Sequence, residues 1–302
     1  MKRPKWLTDD MEKTARKIAA RPTHNGRRWI ADALGISEKR GRSVAEWIRD
    51  GEQWETTVVF GDVHVPFQDH DALSLVMRFI RETQPDQVII NGDFADCYEV
   101  SSFSKDPIRK ASFVDEVLEV RAILTLLRES VRNARIKYVS GNHEHRLVRY
   151  LIDNAKALRG LDGLSIPEQF HLDKLGIEWI PCKGDKFLDT WTEVGELMVG
   201  HFNMARAHSA YTAKGLLDQW GRSLIQAHVH SVGMSNKTLA SGQIAAWEGG
   251  CLCQLDPHYC VPRKWAHAFH VVHRRKSGEF FHVEPVLILD GRFFYGGELW
   301  SA

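Results

Sequence analysis

The chain has 302 residues, of which 43% are hydrophobic and 26% charged, and its formal net charge is +1. This length allows one large domain or two modest ones, and the composition excludes a wholly disordered chain, while the lack of any uncharged apolar run of about 18 residues argues against a membrane span. The five cysteines are an odd number without a Cys-x-x-Cys pair, which favours free thiols in a reducing compartment, so we expect a cytoplasmic protein.

The first 50 residues are basic and helix-prone. They hold 13 Lys or Arg against 7 Asp or Glu, whereas the rest of the chain holds 27 against 32. Apolar spacing and terminator residues predict helices over residues 9–20, 27–34 and 42–49. We therefore expect a small basic helical domain over residues 1–51, with a polyanionic partner, followed by one domain over residues 52–302.

Residues 29–37 resemble the first helix and turn of a helix-turn-helix, in which Gly35 permits a tight crossing. The basic side chains that would then face DNA phosphates are Lys39, Arg40, Arg42 and Arg49. An equal alternative is a helical arm packed on the second domain, with a solvated basic face. Gly41, near the start of a short third helix, weakens the DNA interpretation.

From residue 54 onwards, strand-like runs alternate with amphipathic helices. The runs lie at 56–60, 87–90, 136–139, 197–199 and 224–226, and helical periodicity occurs at 71–82 and 111–134. The order strand, helix, strand, helix, strand predicts βαβ units with right-handed crossovers. Further runs at 266–273, 280–283 and 285–289 make the C-terminal part strand-rich. The predicted fold class is therefore mixed α/β in layers, with a small helical N-terminal domain.

Each of the five earlier runs is followed by a side chain that could bind a metal. In chain order these are Asp62 and His64, Asp93, Asn142 and His143, His201, and finally His228 and His230. Ligands of open α/β sheets bind beyond the carboxyl ends of the strands, so the five runs could direct these groups to one place. Any one of them alone is more typical of a turn or a helix cap, and only their recurrence favours a metal site.

The charge of this donor set suits a phosphate substrate. Two divalent cations, two aspartates and one bridging hydroxide would leave a net charge of about +1, since neutral histidine and asparagine add nothing. Nitrogen donors suit Mn, Fe, Zn, Co or Ni better than Ca or Mg. We expect two divalent ions, Mn above all, with Fe, Zn, Co, Ni or Mg as alternatives.

Five segments closely resemble the motifs of the calcineurin-like metallophosphoesterases. They are Gly61-Asp62-Val63-His64, Gly92-Asp93-Phe94-Ala95-Asp96, Gly141-Asn142-His143-Glu144, Gly200-His201 and Ala227-His228-Val229-His230. A departure is Ala227, where the family has a glycine that is not a ligand. The resemblance implies a β-sandwich flanked by helices, and a two-metal site. By matching motif, Asp62, His64 and His230 would hold one metal, Asn142, His201 and His228 the other, and Asp93 would bridge them.

The resemblance also implies roles beyond metal binding. A metal-bridging hydroxide would attack phosphorus in line. His143 matches the family's catalytic histidine, which stabilises or protonates the leaving oxygen, and Asp96 matches the acid that orients this histidine. A helix N-cap is the alternative role for Asp96. Arg146 could reach a substrate phosphate or, equally, form a surface salt bridge.

Taken together, these patterns predict a phosphodiesterase or nuclease that acts on DNA. The choice of substrate rests on the basic N-terminal domain, the helix-turn-helix pattern and the family's inclusion of repair nucleases. Two alternatives remain: a phosphomonoesterase acting on a phosphoprotein or a small molecule, and a DNA-binding module with an inactive phosphoesterase body. A homodimer is also open, because repair nucleases of the family pair, and no membrane partner is expected.

Overall fold

The computed structural model describes residues 3–19, 26–105, 112–256, 264–276 and 280–302. The chain forms two compact units, one of Met1–Glu55 with Arg274–Phe280 and the other of Thr56–His273 with Phe281–Ala302. Within the described ranges, no helix combines the length and the apolar character needed to cross a membrane.

The first unit is built on three helices, α1 (Asp9–Ala19), α2 (Gly26–Leu34) and α3 (Glu38–Gln53). Their small core contains Leu7, Ala15, Ile30, Val44 and Ile48. Helix α3 is longer than the predicted 42–49, because it begins four residues earlier, after Ser37, and ends four residues later, at Gln53. The Ser37 hydroxyl caps it by accepting a hydrogen bond from the Arg40 amide at 3.4 Å. Gly41 is buried within the helix and does not interrupt it.

The second unit contains the remaining helices and nearly all the strands. The helices are α4 (His70–Thr83), α5 (Phe113–Ser130), α6 (His145–Asn154), α7 (Ile166–Gln169) and α8 (Tyr211–Trp220). The strands are β1 (Trp54–Phe60), β2 (Gln87–Asn91), β3 (Arg135–Val139), β4 (Ile177–Ile180), β5 (Thr190–Val194), β6 (Leu197–His201), β7 (Leu224–Gln226), β8 (Val232–Leu239), β9 (Gly242–Gly249), β10 (Ala268–Arg275), β11 (Phe281–Leu287), β12 (Arg292–Tyr295) and β13 (Glu298–Ser301).

Two sheets pack face to face and make the centre of this unit. One has the strand order β11-β10-β1-β2-β3-β4 and the other has β5-β6-β7-β9-β8. A shared apolar cluster lies between them, with Val59, Ile89 and Val139 from the first sheet and Val199 and Ile225 from the second. Because successive strand residues point to opposite faces, Val58 and Phe60 of β1 belong to a different cluster on the other side.

Helices cover the outer face of each sheet. Helices α4 and α5 contribute Val76, Phe79 and Leu124 to the cluster on the first sheet, and helix α8 packs Leu216 and Leu217 on the second. The layers therefore run helix, sheet, sheet, helix, and the predicted fold class, a layered α/β protein with a β-sandwich flanked by helices, is confirmed.

The sequence predicted two separate strands near the C-terminus, and this prediction is wrong. The strand-like runs at 280–283 and 285–289 are a single strand, β11, which passes through Pro285. Proline is tolerated there because β11 is the edge strand of its sheet and Pro285 is exposed, so the missing amide does not interrupt a central ladder.

A buried acid on helix α5 makes the stability of this unit dependent on pH. Glu116 is 3% exposed, and its Oε1 accepts a hydrogen bond from the Cys97 amide at 2.6 Å. Burial, reinforced by nearby carboxylates, raises the pKa of Glu116 from 4.5 to about 8. The protonated acid is therefore favoured in the fold, and its contribution to stability is lost as pH rises from about 4.5 through about 8.

We expect Glu116→Gln to stabilise the protein at alkaline pH. The amide keeps the acceptor for Cys97 and cannot ionise, so the free energy of unfolding should rise by about 2–4 kcal/mol at pH 9 and stay unchanged near pH 4.5. Urea unfolding of the metal-free protein at both pH values measures this difference. Glu129→Gln, an exposed position on the same helix, is the control. A gain that is equal at both pH values would contradict the assignment.

Candidate metal centre

Strand register brings the predicted ligands to one edge of the sandwich. In the first sheet, parallel strands pair Phe60 with Ile90 and Asn91 with Val139, so β1, β2 and β3 end at the same level. In the second sheet, Gly200 pairs with Gln226, so β6 and β7 also end together. The seven predicted metal ligands lie at or shortly after the ends of these strands, and the structure brings them together.

Glycines make room for this convergence. A Cβ on Gly92 would lie 2.5 Å from His201 Nδ1, and a Cβ on Gly141 would overlap the Asp93 carboxylate. Gly92 also has a φ of +82°, which an L side chain rarely adopts. The glycines before Asp93 and Asn142 are therefore required by close packing, beyond the turn chemistry that the sequence indicated.

Five of the seven predicted ligands have left-handed backbone conformations. The φ values are +50° at Asp62, +53° at His64, +48° at Asp93, +80° at His228 and +55° at His230. Such conformations cost on the order of 1–3 kcal/mol each for non-glycine residues, and they cluster where function requires a fixed geometry. The fold thus holds these side chains in place at the expense of backbone strain.

The first group of donors surrounds His64. Its Nε2 lies 3.1 Å from His230 Nε2, 3.9 Å from Asp62 Oδ1 and 4.0 Å from Asp93 Oδ2. His230 Nε2 is in turn 3.2 Å from Asp62 Oδ1. Nitrogen and oxygen donors clustered at this spacing suit a shared cation.

The second group surrounds His201. Its Nε2 lies 2.9 Å from Asn142 Oδ1 and 3.3 Å from Asp93 Oδ2, and donor atoms of Asp93, His201 and His228 all lie within 4.8 Å of one another. Asp93 also belongs to a group with Asp62 and His64 by the same measure. Asp93 is therefore common to both groups, as expected of a bridging carboxylate.

His143, Asp96 and Arg146 form a cluster beside the first group. His143 Nδ1 is 2.9 Å from the Asp96 carbonyl oxygen and 3.4 Å from its Oδ2, while Asp96 Oδ2 also lies 3.2 Å from His64 Nδ1. No helix begins within residues 97–105, so Asp96 does not act as an N-cap. Burial opposes ionisation of Asp96, but hydrogen bonds from His143 and His64 outweigh it and hold its pKa far below the usual range.

Arg146 has two partners in this cluster. Its guanidinium donates to the Asp96 carbonyl at 2.7 Å and contacts His143 Nε2 at 2.9 Å. A guanidinium can only donate, so Nε2 is the acceptor and the proton of the neutral ring lies on Nδ1, towards Asp96. The side chain of Arg146 is 15% exposed, and its ion pair with Asp96 therefore belongs to the site and not to the surface.

Sequence patterns assigned no role to Glu144, yet its buried carboxylate holds together the two loops that follow strands β2 and β3, which we call the two central loops. It accepts hydrogen bonds from the amides of Asp93, Phe94, Ala95 and Gly141 at 2.8–3.1 Å and from the Tyr138 hydroxyl at 2.6 Å. The sequence signal that could have identified Glu144 is its position directly after Asn142 and His143, because an acidic residue next to a metal ligand is expected to be buried and hydrogen-bonded.

Cys253 and Trp265 were also missed, because they follow the recognised motifs by more than twenty residues. Cys253 Sγ lies 3.8 Å from His230 Nδ1, and its donor atom falls within 4.8 Å of those of His64 and His230. The Trp265 ring packs on His230, with the ring centroids 4.2 Å apart. Cys253 thus contacts His230 at Nδ1, while Nε2 faces Asp62, and Trp265 packs on the same ring.

The pKa values of two histidines in the site are raised. Burial by itself lowers a histidine pKa, but the Asp93 carboxylate outweighs it and raises the pKa of His201 to about 9. Asp62 acts in the same way on His230 and raises its pKa to about 10. In the metal-free protein these two charged rings stabilise the fold below pH 6.5, and their contribution is lost as pH rises through about 9 and 10.

Metal binding should therefore release protons. Metal ions bind the neutral imidazole, so Mn²⁺ must displace the protons of His201 and His230. We expect the apparent affinity to fall about tenfold per pH unit for each displaced proton as pH drops below about 9. Titration calorimetry at pH 7 in buffers of different ionisation enthalpy counts the protons, and a heat that is independent of the buffer would contradict the expectation.

The chain is similar to several known proteins. A family model described as calcineurin-like phosphoesterase matches residues 56–231. The gene 54 protein of Mycobacterium phage L5 is 29% identical over 259 residues, covering 81% of this chain and 98% of the phage protein. The gene 54 protein of Mycobacterium phage D29 is 28% identical over the same length and with the same coverage.

A solved structure of Vps29 from Entamoeba histolytica aligns with 82% of this chain and 97% of its own length. The TM-score of that alignment is 0.40 and the sequence identity is 12%.

Proposed function

The chain belongs to the calcineurin-like phosphoesterase family, whose model covers residues 56–231, and we propose that it is a metal-dependent phosphodiesterase acting on DNA. Membership makes it a phosphoesterase of the metallophosphoesterase type. The observation that carries the hydrolytic activity is the convergence of two donor groups on the shared carboxylate of Asp93. The choice of a DNA phosphodiester rests on the first unit of the chain.

The donors present fit divalent cations. Four imidazoles, two carboxylates and one amide oxygen favour Mn²⁺ and its neighbours in the transition series over Ca²⁺. We assign Asp62, His64 and His230 to one ion, Asn142, His201 and His228 to the other, and Asp93 to both. When bound, such ions lower the pKa of water and offset the negative charge of phosphate oxygens.

We assign stabilisation of the leaving group to side chains of the protein. His143 is 3.7 Å from Asp93 Oδ2, at the boundary of the two donor groups, and its Nε2 is held by Arg146. A phosphate oxygen offers Arg146 a better acceptor than an imidazole nitrogen, because it is charged. Binding of substrate would thus free Nε2 to take up a proton from water. The imidazolium, held by Asp96 at Nδ1, would then donate the Nε2 proton to the leaving oxygen.

The local geometry of helices α2 and α3 supports the helix-turn-helix interpretation of the first unit. Helices α2 and α3 are joined by a three-residue turn, in which Gly35 has a φ of +61° and the Ile36 amide donates to the Ala31 carbonyl at 3.0 Å. Lys39, Arg40 and Arg42 are exposed on the first turns of α3, where the recognition helix of such motifs meets DNA. The side chain of Arg49 lies outside the described residues.

A panel of substrates tests the proposal with the whole protein and Mn²⁺. It contains linear duplex, circular and single-stranded DNA, a nitrophenyl diester and a nitrophenyl monoester. We expect cleavage of the diester and of DNA. Hydrolysis of the monoester alone would support the phosphatase alternative and overturn the proposal. Salt-sensitive DNA binding without hydrolysis of any substrate would support the inactive-module alternative and also overturn it.

A separate measurement tests whether helix α3 binds DNA. We expect Lys39→Ala with Arg42→Ala to weaken duplex binding and to lower the slope of log affinity against log salt by about 2, because each residue neutralises one phosphate. Lys13→Ala, on the exposed face of helix α1, is the matched control. An unchanged slope in the double variant would support the alternative of a helical arm.

A further inference from the structure

Six side chains form a continuous row across the site, which we call the ring row. Its members, in order, are Phe103, Arg146, His143, His64, His230 and Trp265. Arg146 Cζ lies 5.5 Å from the Phe103 ring centroid, and its Nη2 lies 2.9 Å from His143 Nε2. The ring centroids of His143 and His64 are 4.3 Å apart, those of His64 and His230 4.9 Å, and those of His230 and Trp265 4.2 Å.

The two ends of the ring row are aromatic and accessible. Phe103 is 65% exposed, although it is a large apolar side chain, and its ring contacts the guanidinium of Arg146. Trp265 is partly exposed, and its ring packs on His230 with an interplanar angle of 64°. The middle of the row, by contrast, consists of metal-binding and leaving-group residues.

One aromatic end has a cation over its ring, because Arg146 Cζ lies 5.5 Å from the Phe103 ring centroid. Near the other end, Lys264 precedes Trp265 in the chain, and its Nζ donates to the Arg206 carbonyl at 2.6 Å. Aromatic rings on either side of a metal centre, together with basic side chains, are the combination with which proteins hold unpaired nucleotides: bases stack on the rings while the cations offset the backbone phosphates.

We propose that Phe103 and Trp265 stack on the unpaired bases that flank the phosphodiester bound at the metal centre. The occupant is a single-stranded segment of DNA, because paired bases have both faces covered by their neighbours and cannot stack on a protein ring. This inference rests on the proposed function and goes beyond it, since it specifies the strandedness of the substrate at the site of cleavage. Phe103 and Trp265 are specificity residues that leave the chemical step to the centre of the row.

Steady-state kinetics on oligonucleotides provide the test. For single-stranded DNA we expect Phe103→Ala to raise KM about tenfold, the usual effect of losing one base stack, and to leave kcat nearly unchanged. An oligonucleotide with abasic sites on both sides of the scissile phosphate should have a similarly raised KM with the wild-type protein, and the variant should not raise it further. Phe103→Tyr, which keeps the π face, should restore the wild-type KM.

Fluorescence supplies a readout that a purely structural role would not change. 2-Aminopurine placed next to the scissile phosphate is quenched when it stacks, so quenching on binding should be present in the wild type and lost in Phe103→Ala. Trp265→Phe should retain part of the quenching on its own side, because a smaller ring still stacks. Phe294→Ala, a similarly exposed position at 67% on strand β12, is the matched control.

The outcomes separate the two proposals. If the wild type cleaves no form of DNA, the proposed function fails and the ring row loses its substrate. If it cleaves DNA but binds abasic and normal strands equally, or if Phe103→Ala matches Phe294→Ala in KM and in quenching, the stacking inference fails while the proposed function stands. Equal KM for single-stranded and fully paired DNA would also overturn the inference.

Discussion

Replacing Asp93 with asparagine is expected to reduce the bound metal from two ions to one or fewer per chain and to lower kcat/KM at least about 100-fold. Asp93 is the carboxylate common to both donor groups, and asparagine removes the charge that would attract both ions. Asparagine tolerates the left-handed backbone at this position, where φ is +48°. In the native protein Asp93 Oδ1 accepts a hydrogen bond from the His143 amide at 2.8 Å, and the amide oxygen of asparagine can accept the same bond.

Metal analysis after dialysis measures the first effect, and Asp93→Ala, which also removes the acceptor, should be at least as severe. Asp189→Asn serves as the control because this acid lies outside both donor groups, where its Oδ1 accepts from the Asn203 amide at 2.7 Å. Two tightly bound metals in either Asp93 variant would refute the bridging assignment.

Replacing His143 with alanine should leave the metal content intact and lower kcat by about 10²–10⁴, the usual contribution of a general acid. The His143 amide donates to Asp93, and its ring contacts Asp96, Arg146 and His64. His143 is not one of the seven assigned ligands, so no metal ligand is lost. The loss should be largest for substrates with a strongly basic leaving oxygen and smallest for a nitrophenyl ester, which departs without protonation.

The dependence on the leaving group distinguishes proton donation from a general disturbance of the site. A variant with distorted metals would lose activity equally on all substrates, whereas loss of a proton donor would not. His282→Ala, at an exposed position on strand β11, is the control histidine. Turnover equal to the wild type in His143→Ala would remove this residue from the mechanism.

Much of the candidate site was predictable from the sequence because its chemistry is local. A strand ends in a glycine and then in an aspartate or histidine, and this pattern recurs along the chain. The ligands Asp62, Asp93 and His201 were identified in this way, and the fold class followed from the spacing of apolar residues. The start of helix α3 at Ser37 and the passage of strand β11 through Pro285 were not predicted, because each depends on a tertiary position.

The amino-acid sequence by itself determined which residue types follow the strands, and hence the donor atoms available to a metal. Only the tertiary structure decided that Glu144 ties the two central loops together, that Arg146 occupies His143 Nε2, and that Trp265 packs on His230. The physical reason is that apolar periodicity, turn chemistry and helix capping act over a few residues. Most of these contacts join segments that are dozens of residues apart in the chain, and only His143 and Arg146 are close in sequence. Their geometry is set by the packing of two whole sheets, which no local pattern records.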